Sequence, residues 1–181
     1  MAGSGKTETI KYLQKKFDWP KIYFGEATFD RLKKDAMEVN YKNEKIIREK
    51  IRQEKGMGAY AILALPKIKK TLQENNFLLL ESLYSWDEYK IIKEKYGDSF
   101  LTLAVHSSPK IRYERLLKRK NERPMKNKKE FKERDYSEIE GTDKGGPIAR
   151  ADFVIINEGT LRDYYKQIDK IIKKIKNYEK K

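Results

Sequence analysis

The sequence predicts an α/β fold, a parallel sheet with helices on both faces. Three observations point there. Helix-spaced apolar segments alternate with short apolar runs of strand length. The run Phe77–Leu80 is uninterrupted, as in a strand buried on both faces. The opening residues Met1-Ala2-Gly3-Ser4-Gly5-Lys6-Thr7 match the second half of G-x-x-x-x-G-K-[ST], a turn that joins a strand to a helix.

Taken in order, Glu8–Phe17 reads as a helix with Ile10, Leu13 and Phe17 along one face. Lys21–Phe24 reads as a short strand ending at Gly25-Glu26. Thr28–Glu54 is expected to be mostly helical. Met57–Asn75 follows, with Ile62, Leu65, Ile68 and Leu72 at helical spacing. After the strand Phe77–Leu80 come a helix at Trp86–Tyr96 and a second buried strand at Phe100–Val105. Lys110–Lys120 is a basic helix whose Arg112, Arg115 and Arg119 share one face. Asn121–Lys144 is polar and charged without a core pattern, and is expected to be a mobile segment containing a short helix. Phe153–Ile156 is the last strand and Leu161–Tyr178 the last helix, with Ile168, Ile171, Ile172 and Ile175 facing inward. Neither a repeat nor a linker interrupts this order, so residues 1–181 form one domain.

Composition removes several function classes. With no cysteine, thiolate catalysis, disulfides and cysteine metal sites are excluded. The single histidine, His106, excludes a histidine-rich metal site; at a strand end it is a candidate general base or a structural residue. No apolar stretch reaches membrane-spanning length, and a soluble, cytoplasmic protein is expected. The net charge of +14 fits a polyanionic partner or a lysine-rich solvated surface. Much of it lies on the last helix opposite the isoleucines, as a solvated face would. A nucleic-acid partner has no recognisable motif to support it.

The opening motif carries specific chemistry. A glycine-rich turn aims backbone N–H groups at phosphate oxygens, and the positive end of the following helix lies at the same place. Lys6 would reach the β- and γ-phosphates, and the Thr7 hydroxyl would hold Mg²⁺.

The order G-S-G-K-T, strand-G-E, strand-E-S, strand-H-S-S-P, a basic helix with R-x-x-R, R-D, and A-D-F-V-I-I-N-E-G-T resembles the P-loop kinases. It looks most like an adenylate-kinase-related family found mainly in archaea, itself similar to dephospho-CoA kinase and nucleoside monophosphate kinases. The resemblance implies a five-stranded parallel sheet of order 2-3-1-4-5 with a mobile lid at about 119–146. It implies ATP and Mg²⁺ as cofactors, and phosphoryl transfer to a nucleotide or coenzyme-like small molecule by positioning and charge neutralisation. Gly3, Ser4, Gly5 and Lys6 would cradle the phosphates. Thr7 and Glu81 would hold the metal. Arg119, Arg123 and Arg134 of the lid would reach the transferring group, and Asn157 and Gly159 would lie by the adenine. A nucleotide-binding ATPase or GTPase without an acceptor is the alternative.

Two departures concern the acceptor. The family's G-D-x-x-R reads here Gly25-Glu26-Ala27-Thr28-Phe29, and its D-G-x-R reads Glu81-Ser82-Leu83-Tyr84. Both arginines that would grip an acceptor phosphate are replaced. Glu26, Arg31, Arg48, Arg52 and Tyr84 are the candidates left to form that site. A further expectation concerns the first strand, which would precede Met1 at the centre of the sheet. Each buried backbone group stranded beside an empty slot costs about 1–3 kcal/mol, against a stability of roughly 5–15 kcal/mol. Either Met1 is not the true start, or the sheet closes up and ATP binding is impaired.

Overall fold

Four parallel strands in two pairs carry the fold. The computed structural model describes residues 1–119, 125 and 127–178. In chain order the elements are α1 (Lys6–Phe17), β1 (Lys21–Tyr23), α2 (Glu26–Lys34), α3 (Tyr41–Lys55), α4 (Ala59–Glu74), β2 (Leu79–Glu81), α5 (Trp86–Tyr96), β3 (Leu103–His106), α6 (Pro109–Leu117), α7 (Lys128–Glu140), α8 (Gly145–Ala149), β4 (Phe153–Ile156) and α9 (Leu161–Tyr178). Strand β1 pairs with β2 from Lys21↔Leu79 to Tyr23↔Glu81. Strand β3 pairs with β4 from Leu103↔Phe153 to His106↔Ile156.

Among the described residues no ladder joins β2 to β3. The two pairs match the outer halves of the expected order, and the sheet does not close up. A shared core bridges them instead. Leu79 of β2, Leu103 and Val105 of β3, and Ile155 of β4 pack with Leu13 of α1 and with Tyr164, Ile168 and Ile172 of α9. The fully buried side chains of Ile155 and Ile168 each contribute about 1.5–3 kcal/mol. A second core joins β1, α2, α3 and α4 through Ile22, Leu32, Ile47 and Ile68.

The segments expected as strands buried on both faces are only half-buried at Leu79, Leu80, Leu103 and Val105. Ile22 of β1 and Ile155 of β4 are buried under helices, while Val154 and Ile156 of β4 lie about half exposed on the other face. The expected helical stretch 28–54 is two helices. Ala36 takes a left-handed φ of 50°, and the Asn40 side chain accepts the Asn43 N–H to start α3 afresh. The charged stretch 121–144 also differs from expectation. It holds the 13-residue helix α7, started by Asn127 accepting the Glu130 N–H at 2.9 Å. Phe131 and Met125 pack with Leu116 and Ala2, so this segment has a small core of its own against the opening loop.

Candidate functional site

The opening loop lies between α1 and α7. Gly3 and Gly5 take φ of 78° and 113°, a region that favours glycine. A Cβ on Gly3 would lie 2.9 Å from the Arg112 carbonyl oxygen, and one on Gly5 would lie 2.3 Å from Asn157 Nδ2. Space and backbone both require glycine here. Helix α1 begins at Lys6, so the N–H groups of Lys6, Thr7 and Glu8 have no intrahelical acceptor and form an anion-facing end.

Polar side chains hold the loop from behind. Asn157 Nδ2 donates to Ser4 O at 2.7 Å, and the Tyr164 hydroxyl donates to Gly5 O at 3.1 Å while pairing with Thr9 Oγ1. Arg115 donates to Ser107 Oγ at 3.0 Å and to Asn157 Oδ1 at 3.3 Å. Arg112, 4% exposed, grips Asp135 of α7 through both terminal nitrogens at 2.6 and 2.5 Å, and also donates to Ala2 O at 3.3 Å. The basic helix α6 thus ties the loop, the end of β4 and helix α7 together.

Lys6 and Glu138 define the electrostatics. Lys6 Nζ donates to Met1 O at 2.8 Å, closing the loop on itself. Burial, and then the charge of Lys144, lower its pKa to about 8. Glu138 Oε2 accepts the Ala2 N–H at 3.2 Å and Lys144 Nζ at 2.6 Å, and Oε1 accepts Arg134 Nε at 3.4 Å. Burial works to raise the Glu138 pKa, but the charge and hydrogen bond of Lys144, with the charge of Arg134, hold it at about 2. A carboxylate therefore occupies a position against a loop N–H and a cluster of cations, the environment a phosphate oxygen would find.

The remaining expected residues divide by surroundings. Thr7 is exposed in the first turn of α1. Glu81, at the end of β2, pairs with Lys21 at 3.1 Å. Arg134 reaches the loop cluster, Arg119 is exposed, and Arg123 lies outside the described residues. The Asn157 side chain faces the loop backbone, and Gly159 is exposed beside Asp163. His106 is exposed at the end of β3. On the acceptor side, Glu26 pairs with Lys67 at 2.5 Å, Arg31 with Asp35 and Glu54, and Arg48 with Glu44 at 3.0 Å. Arg52 lies over the Tyr60 ring. The Tyr84 ring lies under Lys144, and burial pushes its hydroxyl up to about 12. The sequence did not single out Lys144; one lysine among 42 basic residues carries no signal until folding buries it to 5% exposure.

These residues fit a nucleotide with Mg²⁺. Ser4 Oγ is buried at the loop without a hydrogen-bond partner. Two glycines open the cradle and Lys6 lies inside it. Among the described residues no group of three or more acidic or histidine side chains clusters for a metal. No helix among the described residues is long and apolar enough to cross a membrane.

Comparisons agree with this geometry. A family model described as an AAA domain matches residues 1–141. The chain is 32% identical over 176 residues to a UPF0200 protein of Pyrococcus horikoshii, covering 97% of this chain and 94% of that one. It is 33% identical over 177 residues to a UPF0200 protein of Methanocaldococcus jannaschii, covering 98% and 88%. The solved shikimate kinase from Bacteroides thetaiotaomicron matches with a TM-score of 0.59 at 14% identity, covering 96% of this chain and 93% of that one. At that identity the likeness speaks to the fold, which is the α/β P-loop kinase fold. The half-motif at Gly3–Thr7 and the parallel strand pairs are thus those of a nucleotide-binding, kinase-like P-loop domain, and the chain belongs to the UPF0200 family of archaeal proteins.

Proposed function

We propose that this protein is a cytoplasmic phosphotransferase that moves the γ-phosphoryl group of ATP to a nucleotide or coenzyme-like small molecule. The observation that carries the reading is the environment of Lys6. It is a half-buried lysine at a helix N-terminus, inside a two-glycine turn, with further cations around it. Mg·ATP, when bound, supplies the transferable phosphoryl group and a divalent charge. The chain supplies position and charge. The N–H groups of Gly5 to Thr7 and the Lys6 ammonium would bind the phosphates, and the Thr7 hydroxyl and Glu81 would hold the metal. Lys144 and Arg134, freed from Glu138, neutralise charge on the moving group. Helix α7 covers the loop and excludes water from it.

A second reading, nucleotide hydrolysis without an acceptor, is favoured by one observation: Phe29 and Tyr84 stand where related kinases carry acceptor arginines. Turnover of [γ-³²P]ATP with pooled nucleotides and coenzymes separates the two. A labelled acceptor is expected. Slow phosphate release with no labelled acceptor overturns the kinase reading in favour of the second.

A further inference from the structure

Helices α1 and α9 form one strongly basic face. They lie side by side and run the same way: Glu8 accepts the Tyr165 hydroxyl, Tyr12 donates to Asp169 at 2.9 Å, and Lys16 meets Asp169 at 2.7 Å. In the seam between them the Tyr12 and Tyr165 rings stack at 4.1 Å, 11° from parallel. Leu13 of α1 and Ile168 and Ile172 of α9 point into the core. On the outer side of α1, Lys11, Lys15 and Lys16 are exposed. On the outer side of α9, Arg162, Lys166, Lys170, Lys173 and Lys174 are exposed. The acidic residues of the two helices are Glu8, Asp163 and Asp169. Glu8 and Asp169 are engaged in the seam, and Asp163 accepts the Thr160 hydroxyl at 2.6 Å where α9 begins. Lys16 and Lys166 are the exposed cations of this face that pair with a carboxylate among the described residues, Lys166 only at 3.9 Å in solvent.

Such a face attracts a polyanion, and three features select its class. Leu161 is the one large apolar side chain exposed on either helix among the described residues, so little apolar surface is offered to a bilayer. Seven of the eight cations are lysines, the residue that protein interfaces tend to exclude in favour of aromatics and arginine. Single strands are held by stacking bases on free rings, but here both rings are taken. Tyr12 and Tyr165 cover each other, Lys16 Nζ lies 5.3 Å from the Tyr12 ring centre, and Tyr164 lies beside Tyr165. What remains is a row of ammonium groups spanning about 12 Å from Lys166 to Lys174, with a shorter row along α1. A duplex presents one negative charge per about 1.7 Å of its axis, so the rows face several phosphates at once. We propose that the α1–α9 face docks a nucleic-acid duplex through its phosphate backbone, without reading its sequence. Backbone contact of this kind requires no sequence motif. The proposal goes beyond the kinase reading and does not depend on it.

The test is fluorescence anisotropy of short labelled DNA and RNA duplexes titrated with the full chain at a series of salt concentrations. Engagement of about five of the eight cations gives a slope of log affinity against log salt of about −4.5 on DNA. The triple variant Lys166→Gln, Lys170→Gln, Lys173→Gln is expected to flatten that slope by about 3 and to weaken binding about tenfold or more at low salt. A control triple, Lys42→Gln, Lys69→Gln, Lys70→Gln, removes the same charge from exposed positions on α3 and α4 and is expected to change affinity by less than about twofold. Melting temperature and affinity for the non-hydrolysable ATP analogue AMP-PNP, measured on each variant, separate loss of the face from loss of the fold. Equal weakening in the two triples overturns the proposal, because the attraction then belongs to the net charge and not to this face. So does the absence of binding to either duplex at low salt, or tighter binding to a single strand or to phosphatidylserine vesicles than to the duplexes. None of these outcomes bears on the kinase reading, which the labelled acceptor decides.

Discussion

The Arg112–Asp135 pair makes the sharpest stability prediction. Arg112 is 4% exposed and its bidentate partner Asp135 is 9% exposed. The pair joins α6 to α7 directly behind the loop. Asp135→Asn removes the negative charge and leaves a guanidinium buried against one neutral oxygen. Breaking a buried pair on one side costs about 3–5 kcal/mol. Arg112 keeps its bonds to Ala2 O and Ser107 O, which places the loss near the low end, about 3 kcal/mol. For a chain of this length each kcal/mol moves the melting temperature by about 2–4 °C, so a fall of about 6–12 °C is expected. Thermal unfolding followed by circular dichroism measures it. The double variant Arg112→Met with Asp135→Leu removes both charges and is expected to recover at least half of the loss, because the penalty is one of unpaired burial. A loss under about 0.5 kcal/mol in Asp135→Asn, the size expected of a solvated pair, would show that water reaches these groups and that α7 is not locked to the loop.

Two further predictions concern the loop. The Lys6 pKa is lowered from 10.5 to about 8, so between those values the unfolded chain binds more protons than the folded one and stability rises with pH. Phosphate beside Lys6 restores the charged form; nucleotide binding near pH 9 is therefore expected to take up a proton, visible as a difference in binding heat between two buffers, and no uptake there refutes the placement of Lys6 at the phosphates. Glu138→Gln is expected to lower the melting temperature, because Lys144 loses its buried partner, and to tighten AMP-PNP binding several-fold, because a competing carboxylate leaves the loop; both are read by melting with and without the nucleotide, and tightening that fails to appear removes Glu138 from the phosphate position.

The parts of the fold that the sequence foretells are those with strong local signals. Trp86–Tyr96, Phe153–Ile156 and Leu161–Tyr178 are found with their expected limits. Helix α5 has a capping box between Ser85 and Glu88, β4 is an apolar run, and α9 repeats isoleucine at helical spacing. The loop is legible for a similar reason, since glycine and lysine at fixed spacing have few other uses. Helix α7 is not legible as a packed element. Its inward residues are Asp135 and Glu138 as well as Phe131, and a pattern that equates inside with apolar reads them as surface. Lys144 escapes notice in the same way: it is one cation among many until the carboxylate of Glu138 selects it.

That failure has a physical meaning. Buried charges are costly unless each meets a partner, so a polar interior survives where it has a use. Around the loop four cations, Lys6, Arg112, Arg134 and Lys144, face two carboxylates, Asp135 and Glu138. Arg112 and Asp135 satisfy each other. Glu138 is left to serve three cations, and burial accordingly lowers the pKa of Lys6 and of Lys144. A bound polyphosphate would supply the missing negative charge and relieve both. The stretch of chain least readable by hydrophobic pattern is therefore the one whose energetics an anionic ligand would complete, and the uncompensated charge resides in the residues proposed to bind phosphate.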